Sequence, residues 1–125
     1  MAVSEDFRAY VLEQLDRAIP QLRAKEVFGG VGLYFTDILF GIILEGALYL
    51  KVNKFTRSQY EAYGMGPFKP FGEEGSPVQY YRVPEAILEN PEALRNWARE
   101  ALAVALEKKA MRIAADKGRK RRSGR

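Results

Sequence analysis

The chain has 125 residues, a formal net charge of +4, and neither cysteine nor histidine. Those absences exclude disulfide frameworks, thiolate metal cages, the usual zinc ligands and every Ser/His or Cys/His nucleophilic pair. The 47% hydrophobic content, with seven Phe, seven Tyr and one Trp, suits one core, and a chain this short is expected to form one domain.

The first element reads as a helix over Glu5 to Ala18. Ser4 is suited to the N-cap, Glu5 and Asp6 to the first turn, and Phe7, Val11, Leu15, Ala18 and Ile19 recur at helical spacing. Pro20 then disfavours continuation. The N-terminal Met-Ala-Val-Ser-Glu-Asp carries neither a basic nor an apolar leader segment, so a cytoplasmic protein is expected.

Between Arg23 and Val52 glycines punctuate short β-branched and aromatic runs: Val27-Phe28, Val31 to Phe35, Ile38 to Leu44 and Ala47 to Val52. These are expected strands. Glu45-Gly46 predicts a two-residue hairpin that makes the last two antiparallel. Alternation puts Leu48, Leu50 and Val52 on one face and Tyr49 and Lys51 on the other. Ile38 to Leu44 lacks alternation, which suits a central strand covered on both faces or one whose outer face meets another molecule. At seven residues it is the longest apolar run, far short of the roughly 20 that span a membrane.

A short helix is expected within Thr56 to Tyr63, stopped by Gly64, Gly66 and Pro67. Phe68 to Phe71 and Val78 to Val83, separated by the acidic turn Gly72 to Gly75, read as a second strand pair. The final helix has Asn90 as N-cap, Pro91 at N1, and a stripe of Leu94, Trp97, Ala98, Ala101, Leu102 and Ala105. Running to Asp116 it would be roughly 39 Å long, longer than the body is wide, so its end is expected to project or to pack on a partner.

Residues 107 to 125 hold nine Lys and Arg against two acids, a net of +7, whereas the preceding residues hold eleven bases and fourteen acids, a net of −3. Lys117 to Arg125 has nothing apolar to bury and is expected to be disordered. Its cations, Lys117, Arg119, Lys120, Arg121, Arg122 and Arg125, suit non-specific DNA or RNA contact by counterion release, and equally a solubilising extension.

Other candidate sites are weaker. Gly29, Gly30 and Gly32 lack the remaining glycine of a dinucleotide loop and read as turn or bulge positions. Glu73 and Glu74 sit in a Gly/Pro-flanked turn that favours solvation over acid/base work. Lys51, Lys54, Arg57 and Lys69 interleave with Tyr49, Phe55, Tyr60, Phe68 and Phe71, a pattern that suits single-stranded nucleic acid, although aromatics at such spacings more often belong to a core. No catalytic, metal or cofactor constellation is identified.

The segment Phe28 to Lys51, FGGVGLYFTDILFGIILEGALYLK, resembles the N-terminal domain of the TfoX/Sxy family of bacterial competence regulators. Tyr63-Gly64, Pro67-Phe68, Tyr80-Tyr81-Arg82-Val83-Pro84 and Leu94 to Ala98 are similar to that family's later motifs in order and distance. The resemblance covers about residues 5 to 107 and departs from the pattern at Ile38, where the family usually has glycine. It implies an α+β fold: two layers, with an N-terminal and a long C-terminal helix against a curved antiparallel sheet, similar to type III secretion chaperones. Full-length members add a helical C-terminal domain and act as transcriptional co-activators alongside the catabolite activator protein. A chain of this length is expected to be a single-domain member without that second domain.

Two functional expectations follow. The first is a non-enzymatic regulatory or adaptor protein that contacts transcription machinery, with Tyr34, Tyr49 and Lys51 on the outer sheet face and the long helix as contact surfaces. The alternative is a small non-specific nucleic-acid-binding protein acting through its tail. A homodimer through a free strand edge or the amphipathic helix is compatible with either.

Overall fold

The computed structural model describes residues 2–27, 29–67 and 79–123, with side chains within residues 5–117. Helix α1 (Ala2–Ala18) leads into a meander of β1 (Leu22–Val27), β2 (Gly30–Phe35), β3 (Ile38–Leu44) and β4 (Ala47–Lys51). Helix α2 (Arg57–Glu61) follows, then β5 (Tyr80–Arg82), α3 (Glu85–Leu88) and α4 (Pro91–Ser123). The five strands form one open antiparallel sheet in the order β1-β2-β3-β4-β5. The fold is α+β, as expected.

Local chemistry explains the meander. Leu44 pairs with Ala47 across Glu45 and Gly46, whose φ angles of 49° and 75° are both positive. Such a pair of angles matches the right-handed twist of the flanking strands. Gly30 has a different reason to be glycine: a Cβ there would collide with the backbone carbonyl of Ile43.

The register fixes the two faces. Val31, Ile43 and Leu48 are paired across three strands, as are Leu33, Gly41, Leu50 and Tyr81 across four. With Val52 and Val83 they make the inner face, which packs against Val11, Leu15 and Ile19 of the α1 region and Leu94, Ala98, Ala101 and Ala105 of α4. The alanines leave little side chain between helix and sheet, so α4 lies close. Phe40 is the extra residue of a β-bulge between the Leu33–Gly41 and Tyr34–Leu39 pairs, and it is fully buried in the core.

The helices are tied by polar contacts as well. Arg95 donates to Gln14 at 2.7 Å, and the Tyr10 hydroxyl donates to the Leu88 carbonyl at 2.7 Å. Asn90 accepts from the Ala93 amide at 3.2 Å, the expected cap, with Pro91 as first helical residue.

Several expectations change. Helix α1 starts at Ala2, so Ser4 lies inside its first turn. Strand β1 begins at Leu22 and is largely exposed, a charged edge (LRAKEV) whose polarity hid it. Of the expected second strand pair, Tyr80–Arg82 is a strand, and it pairs with β4 as the last strand of the sheet. Phe28, the Phe68 to Phe71 run, the Gly72 to Gly75 turn and Val78 lie outside the described residues. The backbone of α4 stays helical past Asp116 to Ser123, which takes in most of the tail expected to be disordered. Lys and Arg are good helix formers, and cations near a helix C-terminus oppose its negative dipole end.

Candidate functional site

Alternation assigns Gly32, Tyr34, Leu39, Ile42, Tyr49, Lys51, Tyr80 and Arg82 to the outer face of the sheet. None belongs to the core cluster. Tyr34, Tyr49 and Lys51, the three expected contact residues, therefore share one surface, each half-buried. Ile42, directly across from Tyr49, is buried.

The face is ordered by aromatic and cationic contacts. Gly32 lets the Tyr34 ring and the Leu39 side chain close over the backbone, since a Cβ there would meet them at 2.9 and 3.1 Å. The Lys25 amine lies 5.6 Å from the Tyr34 ring centroid, and the Lys51 amine 5.0 Å from that of Tyr80. The Tyr80 hydroxyl donates to the Leu39 carbonyl at 3.3 Å. Burial, reinforced by Tyr34, pushes the Tyr80 phenol up to about 12. It stays protonated at any physiological pH and serves as a donor and a platform.

At one end of the sheet this face meets the overhanging half of α4. Lys109 pairs with Asp37 in the β2–β3 turn at 3.1 Å, which pins the helix there. The hydrogen bond from Lys109 holds the Asp37 carboxyl below its usual range. Between them lies a cleft of about 550 Å³ whose walls include Leu39, Lys51, Tyr80 and Arg112. A second groove of about 710 Å³ shares Lys51 and Arg112 and adds Lys54, Phe55, Lys108 and Met111. Lys51 is held below the ordinary lysine value by burial first, then by the charges of Lys108 and Arg112. Burial lowers Lys108 as well.

The other candidates separate. Tyr60 is core, 1% exposed, with ring contacts to Trp97 at 4.6 Å and Tyr81 at 6.0 Å. Phe55 is 74% exposed. Gly29 occupies the β1–β2 turn at φ 75°, and Gly30 and Gly32 are strand residues. Lys117 is exposed on α4, and Arg119, Lys120, Arg121 and Arg122 continue its helical backbone. Glu73, Glu74, Lys69 and Arg125 lie outside the described residues. Sequence reasoning missed Lys108 and Arg112, although their i, i+4 spacing places both on one side of a helix. Among the described residues no three Asp or Glu gather to hold a metal, and no helix is long and apolar enough to cross a membrane.

The model of the TfoX N-terminal domain matches residues 13–105, from within α1 to the last buried turn of α4. DNA transformation protein TfoX1 of Aliivibrio fischeri is 26% identical over 87 residues, which cover 69% of this chain and 42% of that protein. The chain thus spans less than half the length of that relative. With the family match covering the helix, the meander and the start of the long helix in one continuous stretch, the chain belongs to the TfoX N-terminal domain family.

Proposed function

We propose that this protein is a non-enzymatic regulatory or adaptor domain of the TfoX N-terminal type, working in the cytoplasm through contact with a protein partner of the transcription machinery. The observation that carries the reading is the family match over residues 13–105. A similar protein is named for DNA transformation, which makes control of competence genes the first process to examine.

The outer sheet face supplies the contact surface. Tyr34, Tyr49 and Tyr80 combine large apolar area, a polar tip and few rotatable bonds, a composition from which binding hot spots are built, and Lys51 adds a positive charge beside them. Lacking both His and Cys, the chain has no ready general base or thiol nucleophile near neutral pH, in keeping with a binding role.

Deleting the gene in its native host and measuring transcripts and transformation frequency tests this reading. Loss of the protein is expected to change the transcripts of DNA-uptake genes, and Tyr34→Asp with Tyr49→Asp is expected to reproduce the deletion while the protein still accumulates. Unchanged transcripts in the deletion strain would overturn it.

A further inference from the structure

We propose that the groove between the end of β4 and the overhanging half of α4 binds single-stranded nucleic acid, with Lys51, Lys54, Lys108 and Arg112 contacting phosphates and Phe55 stacking on a base. This goes beyond the outer-face reading and uses a different surface, which meets that face only at Lys51.

The first observation is charge without compensation. Four cations line the groove beside a single carboxylate, Glu107. Lys109, one residue along, has its partner in Asp37, but no ion pair to Lys51, Lys108 or Arg112 occurs among the described residues. Lys51 is half-buried and carries its charge within the field of Lys108 and Arg112. Converging like charges on a partly desolvated ammonium is unfavourable in the empty groove, and an entering anion adds an attraction to each cation that offsets this repulsion.

The second observation is the placement of Phe55. A lone exposed apolar side chain needs no explanation in general, but this one is held in place. The Asn53 side-chain oxygen accepts from the amides of Phe55 and Thr56, each at 2.8 Å, and the Asn53 amide donates to the Thr56 hydroxyl at 3.0 Å. That turn fixes the Phe55 backbone beside the groove, and the ring lines the groove wall with the Lys54 amine 5.2 Å from its centroid. Across the groove stand Lys108, Met111 and Arg112. Cations tracking a backbone beside an exposed ring are the elements with which proteins bind single strands.

Base stacking selects a single strand over a duplex, whose base faces are already covered. A nucleotide chain is favoured over a small phosphate because the groove offers four cations and an exposed ring along one wall, more than a lone phosphate can engage.

Fluorescence anisotropy with the full chain and a labelled twenty-nucleotide oligothymidylate tests the proposal, with salt titrations on each variant. Phe55→Leu is expected to weaken binding roughly five- to hundredfold with the salt dependence unchanged, since it removes stacking and no charge. Lys51→Gln with Lys108→Gln and Arg112→Gln is expected to weaken binding more than tenfold and to make the log–log salt slope shallower by roughly 2, about 0.7 per phosphate released. Phe55 is exposed, so its variant keeps the fold, and an unchanged melting temperature verifies this. Four results would each overturn the proposal: no binding by the full chain, no effect of Phe55→Leu, equal affinity for a duplex of the same length, or equal displacement of the probe by oligoglutamate of matched charge.

Discussion

The two halves of α4 obey different rules. Up to Ala105 the helix is held by what it covers: Leu94, Ala98, Ala101 and Ala105 are at most 3% exposed. Beyond that point Met111 and Ile113 are 64% and 45% exposed, the Lys109–Asp37 pair ties the helix to the body, and Lys108 and Arg112 face Lys51 with like charge. Tertiary packing ordinarily supplies most of the stability of a helix, with propensity second. The first half is therefore a structural member, and the second is a surface element whose residues are available for binding.

Leucine and isoleucine truncations break that comparison most directly. Leu94→Ala removes a fully buried side chain and is expected to cost about 2–5 kcal/mol. Ile113→Ala removes a similar volume from the exposed half and is expected to stay within about 0.5 kcal/mol. Urea denaturation of both variants measures the difference. Similar losses would show that the overhang is packed against something in solution and is no free surface.

A smaller effect of opposite sign is expected at Lys51. Its folded-state pKa lies below the ordinary 10.5, so the native chain binds fewer protons than the unfolded chain between those two values. Stability therefore rises with pH through that window, and the penalty of the charged lysine is full at neutral pH. Lys51→Met keeps an apolar stem against the Tyr80 ring and removes the charge. It is expected to stabilise the chain at pH 7 by no more than about 1 kcal/mol for a partly solvated charge, read as a higher melting temperature. The gain is expected to narrow both toward pH 10.5 and in high salt. A variant less stable than the parent at pH 7 would mean that the contact between the Lys51 amine and Tyr80 outweighs the repulsion from Lys108 and Arg112.

What could be read from the sequence divides along similar lines. The α4 stripe, the Asn90–Pro91 start and the Glu45-Gly46 hairpin were legible because each is written within a few neighbouring residues. The β1 edge was not, since a solvated strand such as LRAKEV carries no apolar alternation to detect. Nor was the pairing of Tyr80–Arg82 with β4, which a long connection separates in the chain and only the three-dimensional register reveals. The shared face of Tyr49 and Lys51 followed from strand parity alone. The groove did not, because it joins Lys51 and Phe55 to Lys108 and Arg112 across the fold. Phe55 itself read as core by its type, and the turn built by Asn53 is what turns it outward.

The smallest effect belongs to the Lys109–Asp37 pair, yet it addresses the comparison most selectively. Asp37 is largely solvated and Lys109 partly so, with exposures of 79% and 39%, so little global stability rides on them. Their position matters more, since they join the overhanging half to the β2–β3 turn. Asp37→Asn is expected to leave the melting temperature nearly unchanged at neutral pH while speeding amide exchange across residues 106–117 and sparing residues 94–105. Lowering the pH below the usual carboxylate range is expected to do the same to the parent chain. The folded-state pKa of Asp37 lies under its ordinary 3.8, so this tether holds above that value and is lost as pH falls through the lowered one. Exchange that accelerates equally in both halves would mean that α4 opens as one unit, and the division at Ala105 would then describe exposure without describing mechanics.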